Sequence, residues 1–183
     1  MFSFKRFILE NWFEKNDNTH LKRRVSFSQQ LSTSKTPDES GAIERFIKNS
    51  KPVNKSLLSG KDHPDVKIID RVVDKNRLPV DLHAYSSLTF DPKTKIDNKN
   101  EMRLPAYLSM TPHKDVAKDY ATKDKNGVHH IAHIELKKGQ PATYVGTHED
   151  ELILGRDQTM HYHGSVDVED GDKKYRIHKM SVK

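Results

Sequence analysis

Residues 147–155 read THEDELILG. Glu149 and Glu151 flank Asp150, and Leu152, Ile153 and Leu154 follow at once. A short apolar run between charge and Gly155 reads as a buried strand. On an extended strand residues i and i+2 share a face at roughly 6–7 Å. The spacing therefore predicts two glutamates side by side where the strand begins. Like charges that close repel, which is tolerable in water and expensive inside. The pair is either a working pair or a wet strand end.

Working outward, VHHIAHIEL (128–136) alternates, with Val128, His130, Ala132, Ile134 and Leu136 on one predicted face. LHAYSSLTF (82–90), AYLSM (106–110), a stretch near His161, and YRIHKMSV (175–182) read as further strands. Lys137 to Gln140 reads as a turn, and Gly139, Gly155, Gly164 and Gly171 as turn residues. A helix is expected from Thr111 (N-cap) and Pro112 through Ala121. Another starts at His63-Pro64 with Val66, Ile69, Val72 and Val73 as its buried face, and ends by Leu78-Pro79. Ile43, Phe46 and Ile47 form an earlier helical stripe. Helices followed by short strands around one further helix predict an α+β fold with a mostly antiparallel sheet.

The 183 residues suffice for one domain with a tail. A hydrophobic fraction of 33% and a mean hydropathy of −0.87 are low for a chain packed throughout. Residues 11–40, rich in Lys, Arg, Ser, Thr, Asn and Gln, read as a polar flexible segment, and 41–183 as the folded domain. Absent cysteine excludes disulfides and thiolate metal sites. A net charge of +6 suits a protein beside a polyanion, or simply a soluble one. Leu21 to Arg24 is either a phosphate contact or a solvated run. No segment approaches the ~20 apolar residues of a membrane span, so no membrane partner is expected.

Phe4, Phe7, Ile8 and Trp12 fall at helical spacing, forming a short amphipathic helix for a partner or for the domain itself. The opening MFSFKRFILE resembles the capsid-targeting peptide of internal head proteins in T-even-type phages. Such peptides end in Ile/Leu-x-Glu. Glu10 is the only glutamate here with Ile or Leu two positions before it. The resemblance implies a propeptide of residues 1–10, cut by a prohead protease between Glu10 and Asn11. It also implies residence inside the capsid with phage DNA, bound non-specifically, then entry into the host cytoplasm.

LPVDLHAYSSL (78–88), AYLSMTPHKDVAKDYA (106–121) and EDELIL (149–154) occur in the order seen in ADP-ribosyltransferases of the Arg-Ser-Glu class, which the chain resembles from about Val66 to Val182. The resemblance implies an ADP-ribosyltransferase-like fold and NAD as the substrate. It also implies transfer of ADP-ribose to a host protein side chain, arginine being the expected acceptor. Glu151 would be the catalytic glutamate, bonding the nicotinamide ribose. Glu149 would orient or deprotonate the nucleophile, and Ser109 would position Glu151. Tyr85 and Tyr107 either stack on nicotinamide or fill core. The arginine of the class falls on Ser86, which lacks its charge. A shift of register would bring in His83, as in the His-Tyr-Glu class, and Arg77 and Arg103 are other sources of charge. The alternative is a non-catalytic protein on the same fold, bound to DNA or inhibiting one host target.

No metal site is expected. His129 and His133 would lie ~13 Å apart on a strand, and His161 and His163 share a face without an evident third ligand. GxxxxGK[ST], GxGxxG and GxSxG are all absent.

Overall fold

The computed structural model describes residues 35–145 and 150–183. Glu149, the decapeptide with Glu10 and Asn11, and the amphipathic stripe to Trp12 lie outside the described residues.

Helix α1 (Pro37–Lys48) starts within the stretch assigned to the polar segment, four residues before Gly41. The signal is a capping box. The Thr36 side chain accepts the Glu39 backbone N–H, and the Glu39 carboxylate accepts that of Thr36 at 3.0 Å. Composition alone classed these residues as tail, whereas Glu39 is buried and ion-paired with Lys75 at 2.7 Å. Helix α2 (Lys51–Leu58), which no sequence signal announced, follows after Asn49. Helix α3 (Pro64–Lys75) forms as expected, with His63 Nδ1 accepting the Asp65 N–H at 3.2 Å. Asp65 also takes Arg45 on α1 in a bidentate pair, tying α1 to α3.

Among the described residues eight strands make two sheets. One has five strands in the order β1-β4-β8-β7-β2: β1 (Leu82–Leu88), β4 (Val128–Leu136), β8 (Lys173–Val182), β7 (Gln158–Asp170) and β2 (Glu101–Leu104). The other has three, in the order β3-β6-β5: β3 (Leu108–Met110), β6 (Leu152–Leu154) and β5 (Ala142–Tyr144). Pairing is antiparallel except between β4 and β8, as the α+β reading expected. β2 and β5 are strands that the sequence pattern did not reveal.

Three apolar clusters set the layers. Leu82, Ala84, Leu88, Ala132, Ile134 and Leu136 pack with Met110, Leu152 and Leu154, filling the space between the sheets. Ala42, Ile43, Phe46, Ile69, Val72 and Val73 pack with Tyr107 and Ile153, seating α1 to α3 on the outer face of the three-stranded sheet. Ile131, Tyr85 and Tyr175 pack with Ala117 of helix α4 (Lys114–Asp119), covering the far face of the five-stranded sheet. β4 is therefore buried on both faces, not on one; His130 and His133 are both inaccessible although they point oppositely. Gly164 sits in β7 at a bulge opposite Lys179, with φ 139°, rather than in a turn.

Helix α4 starts at Lys114 with His113 as N-cap, two residues after the expected Thr111. Thr111 instead makes a β-bridge to Tyr85, with N···O distances of 2.7 and 2.9 Å. That bridge carries β1 from one sheet towards the other. Its backbone pairing outcompetes a cap that would satisfy one helical N–H.

Candidate active site

Beside this bridge, where the two sheets meet, lies a cleft of about 470 Å³. Tyr85, Ser86 and Ser87 of β1 line it with Ser109, Met110 and Thr111 at the end of β3. Ile47 and Ser50 close one side, Val116, Ala117 and Tyr120 the other, and Glu151 stands at the mouth of β6. Four expected site residues thus meet: Glu151, Ser109, Ser86 and Tyr85.

The register explains why Ser109 and Glu151 face the same space. Ser109 pairs with Ile153 across β3 and β6, so their side chains share a face. Glu151, two residues before Ile153, continues that face, and its carbonyl accepts the Val145 N–H at 3.0 Å. Ser86 is buried, and its hydroxyl donates to the Ser109 carbonyl at 2.7 Å. The serine in the class arginine's place therefore joins the two sheets beneath the cleft. Among the described residues lining the cleft, Glu151 is the charged one.

The chain turns sharply just before Glu151. Asp150 has φ 51°, a left-handed conformation that interrupts the extended chain before β6. The alternation of β6 is therefore read only from Asp150 onward; Glu149, expected beside Glu151, lies outside the described residues. The turn is braced from outside. Tyr144 Oη donates to Asp150 Oδ1 at 2.7 Å, and His113 Nε2 lies 2.8 Å from Oδ2. This linkage ties the residue before Glu151 to the start of α4. Sequence reasoning passed over Asp150, since its partners lie 6 and 37 positions away. Tyr120, 59% exposed on the cleft rim, falls within a quoted motif but had no expected role.

Four other candidates fall outside the cleft lining. Tyr107 is core: its ring meets Phe46 edge-on at 5.6 Å. Its hydroxyl donates to Asp70 at 2.6 Å, and Asp70 in turn holds Arg156. Burial, then the Asp70 carboxylate, push the phenol's pKa far above its usual value. His83 meets His133 edge-on at 5.3 Å, and Tyr85 stacks on the same ring at 4.4 Å, so His83 and Tyr85 share a face as expected. Arg103 pairs with Asp157 at 3.0 Å on the surface, and Arg77 bridges Pro141; neither brings charge to the cleft.

A family model described as ADP-ribosyltransferase exoenzyme matches residues 10–183. The chain belongs to that family, whose chemistry is NAD-dependent transfer of ADP-ribose. Among solved structures, Plx2a, an ADP-ribosyltransferase toxin from Paenibacillus larvae, superposes with a TM-score of 0.72 at 16% identity. That match covers 88% of this chain and 95% of the toxin. C3stau2 from S. aureus, solved with NAD, gives 0.66 at 17% identity, covering 89% and 94%. C3larvin toxin, an ADP-ribosyltransferase from Paenibacillus larvae, gives 0.60 at 14%, covering 81% and 97%. No curated protein sequence matches the chain significantly. The fold is accordingly the ADP-ribosyltransferase fold, as the motif order implied.

Proposed function

We propose that the chain transfers ADP-ribose from NAD to a side chain of a bacterial host protein, arginine being the expected acceptor. The observation that carries this is Glu151 facing the same cleft as Ser109, in a member of this family. The glycosidic bond between ribose C1 and the nicotinamide nitrogen breaks, and its electron pair leaves with neutral nicotinamide. Glu151 bonds the ribose and offsets the positive charge that develops on it. A carboxylate placed there before reaction is worth several kcal/mol once water is excluded. The acceptor nitrogen then forms the new bond to C1 and loses a proton. Glu149 is the group given that last task by the Glu-x-Glu resemblance.

The cleft suits the nicotinamide-ribose end of NAD. Met110, Val116, Ala117 and Tyr120 supply apolar and aromatic wall, and Ser87 and Ser109 supply hydroxyls. Among the described residues the cleft lining offers the diphosphate no cation, since Ser86 replaces the class arginine. That departure favours a second reading, in which the fold binds a host protein or DNA without chemistry.

We further propose that the protein is packaged in a phage head and enters the host with the DNA. The decapeptide ending Ile8-Leu9-Glu10 and the charge of +6 support this. Sequencing the N-terminus of virion-derived protein is expected to begin at Asn11; an intact Met1 would sink the idea.

Purified protein incubated with labelled NAD and bacterial lysate, beside Glu151→Gln, tests the reaction. Label on a protein band is expected with the unaltered chain. The variant should lose on the order of 100- to 1,000-fold in rate, as when one transition-state contact is removed, with unchanged melting temperature. No label and no calorimetric binding of NAD would leave the second reading standing.

A further inference from the structure

We infer that Asp91, His130 and His178 form a binding site for one divalent transition-metal ion of the zinc type, outside the catalytic cleft. One donor atom from each lies within 4.8 Å of those of the other two. The three come from separate places: Asp91 from the loop after β1, His130 from β4 and His178 from β8. Ala132 pairs with His178, so His130, two residues before Ala132, projects on the same face. Both rings are inaccessible, on the face that packs between the sheets.

The protonation pattern suits a ligand set. Asp124 Oδ1 accepts the backbone N–H groups of Val128 at 2.9 Å and Asn126 at 2.8 Å, so its carboxylate is an acceptor. His130 Nε2 therefore carries the proton, which it donates to Asp124 Oδ2 at 3.2 Å. That leaves His130 Nδ1 a bare lone pair, 2.9 Å from His178 Nε2. A bare Nδ1 on His130 makes His178 Nε2–H the donor of that contact; an ion taking its place shifts the proton to His178 Nδ1, which is buried without a partner of its own.

Two ligand atoms each ~2.1 Å from one tetrahedral ion stand about 3.4 Å apart. The imidazole nitrogens, hydrogen-bonded at 2.9 Å without the ion, need to part by only about half an ångström to take one between them. A carboxylate behind a ligating imidazole, as Asp124 stands behind His130, is the arrangement that fixes tautomer and orientation at metal centres. Arg176 lies 3.5 Å from Asp91, but its guanidinium is already forked onto Asp167 at 2.6 and 2.9 Å. The ion thus competes with a long pair only. Two imidazoles and one carboxylate suit zinc, cobalt or nickel, with water completing the shell. None of the three residues lines the cleft, so the ion's task is to staple the loop after β1 to β4 and β8.

The test is a cobalt(II) titration of the full chain followed by visible absorption, with zinc(II) as competitor. A single equivalent is expected to saturate the band, and zinc to erase it and raise the melting temperature. Asp91→Ala, on an accessible loop, should weaken binding about tenfold or more, and Asp124→Asn about 10- to 100-fold. Metal-free melting reports whether either variant is folded, and Asp124→Asn decides if Asp91→Ala is not. The absence of a stoichiometric band overturns the proposal. So does a band that both variants leave unchanged, or one lost instead with His161→Gln, whose ring meets that of His163 on the surface of β7.

Discussion

The two sheets hold together by different means. β7 and β8 run 13 and 10 residues, paired from Met160 with Val182 to Asp170 with Lys173. Every strand of the smaller sheet is three residues long. Such strands have few ladder bonds of their own, so their positions depend on what packs against them. Yet this sheet carries Ser109 and leads into Glu151. Its geometry is supplied by Ile153 under three helices, by the Ser86 hydroxyl from β1, and by the clamp on Asp150. The long sheet is self-supporting scaffold, while the short one is positioned by remote contacts.

Removing those contacts should therefore expose the difference. Ile153→Ala opens a hole between β6 and the helices at a fully buried position, and should cost about 4 kcal/mol. Denaturant titration gives the value. Transfer activity should fall further than the folded fraction explains; activity tracking the folded fraction alone would break the comparison.

Acid probes the long sheet instead. His178 titrates at about 4 when folded, against 6.5 ordinarily, because burial disfavours its charge. Between those values the unfolded chain binds a proton that the folded one does not, so stability rises with pH across that window. With chelator present, stability should fall by on the order of 3 kcal/mol from pH 6.5 to 4, and the histidine's share should flatten below that. His178→Gln should abolish this share, as melting curves against pH would show.

The smallest effect is the most local. Ser86→Ala removes the hydroxyl from the Ser109 carbonyl and should cost about 1 kcal/mol. If the short sheet is positioned from outside, the rate should drop although the melting temperature barely moves. An unchanged rate would mean that the bridge from Tyr85 to Thr111 suffices.

What the sequence made legible was whatever repeats within a few residues. β4 was bounded at both ends by its alternation, and α3 by Pro64 and its apolar stripe. Glu151, Ser109, Ser86 and Tyr85 were found by motif order and do meet in one cleft. β2 and β5 have three or four residues each, too few to show a period. Tyr107 was ambiguous because an aromatic beside a motif looks alike in core and site; its bond to Asp70, 37 positions away, made it core.

The sequence by itself determined the order of elements, the acidic residues before an apolar strand, and the motif alignment that puts Ser86 where the class has arginine. These follow from residue type and short-range spacing, which the chain carries wherever it is placed. Only the tertiary structure decided that Asp150 turns left-handed under His113 and Tyr144, that Ser86 spans two sheets, and that His130 meets His178. Each is a meeting of groups separated by between 6 and 48 positions. Such meetings are set by sheet register and core packing, which no local period encodes.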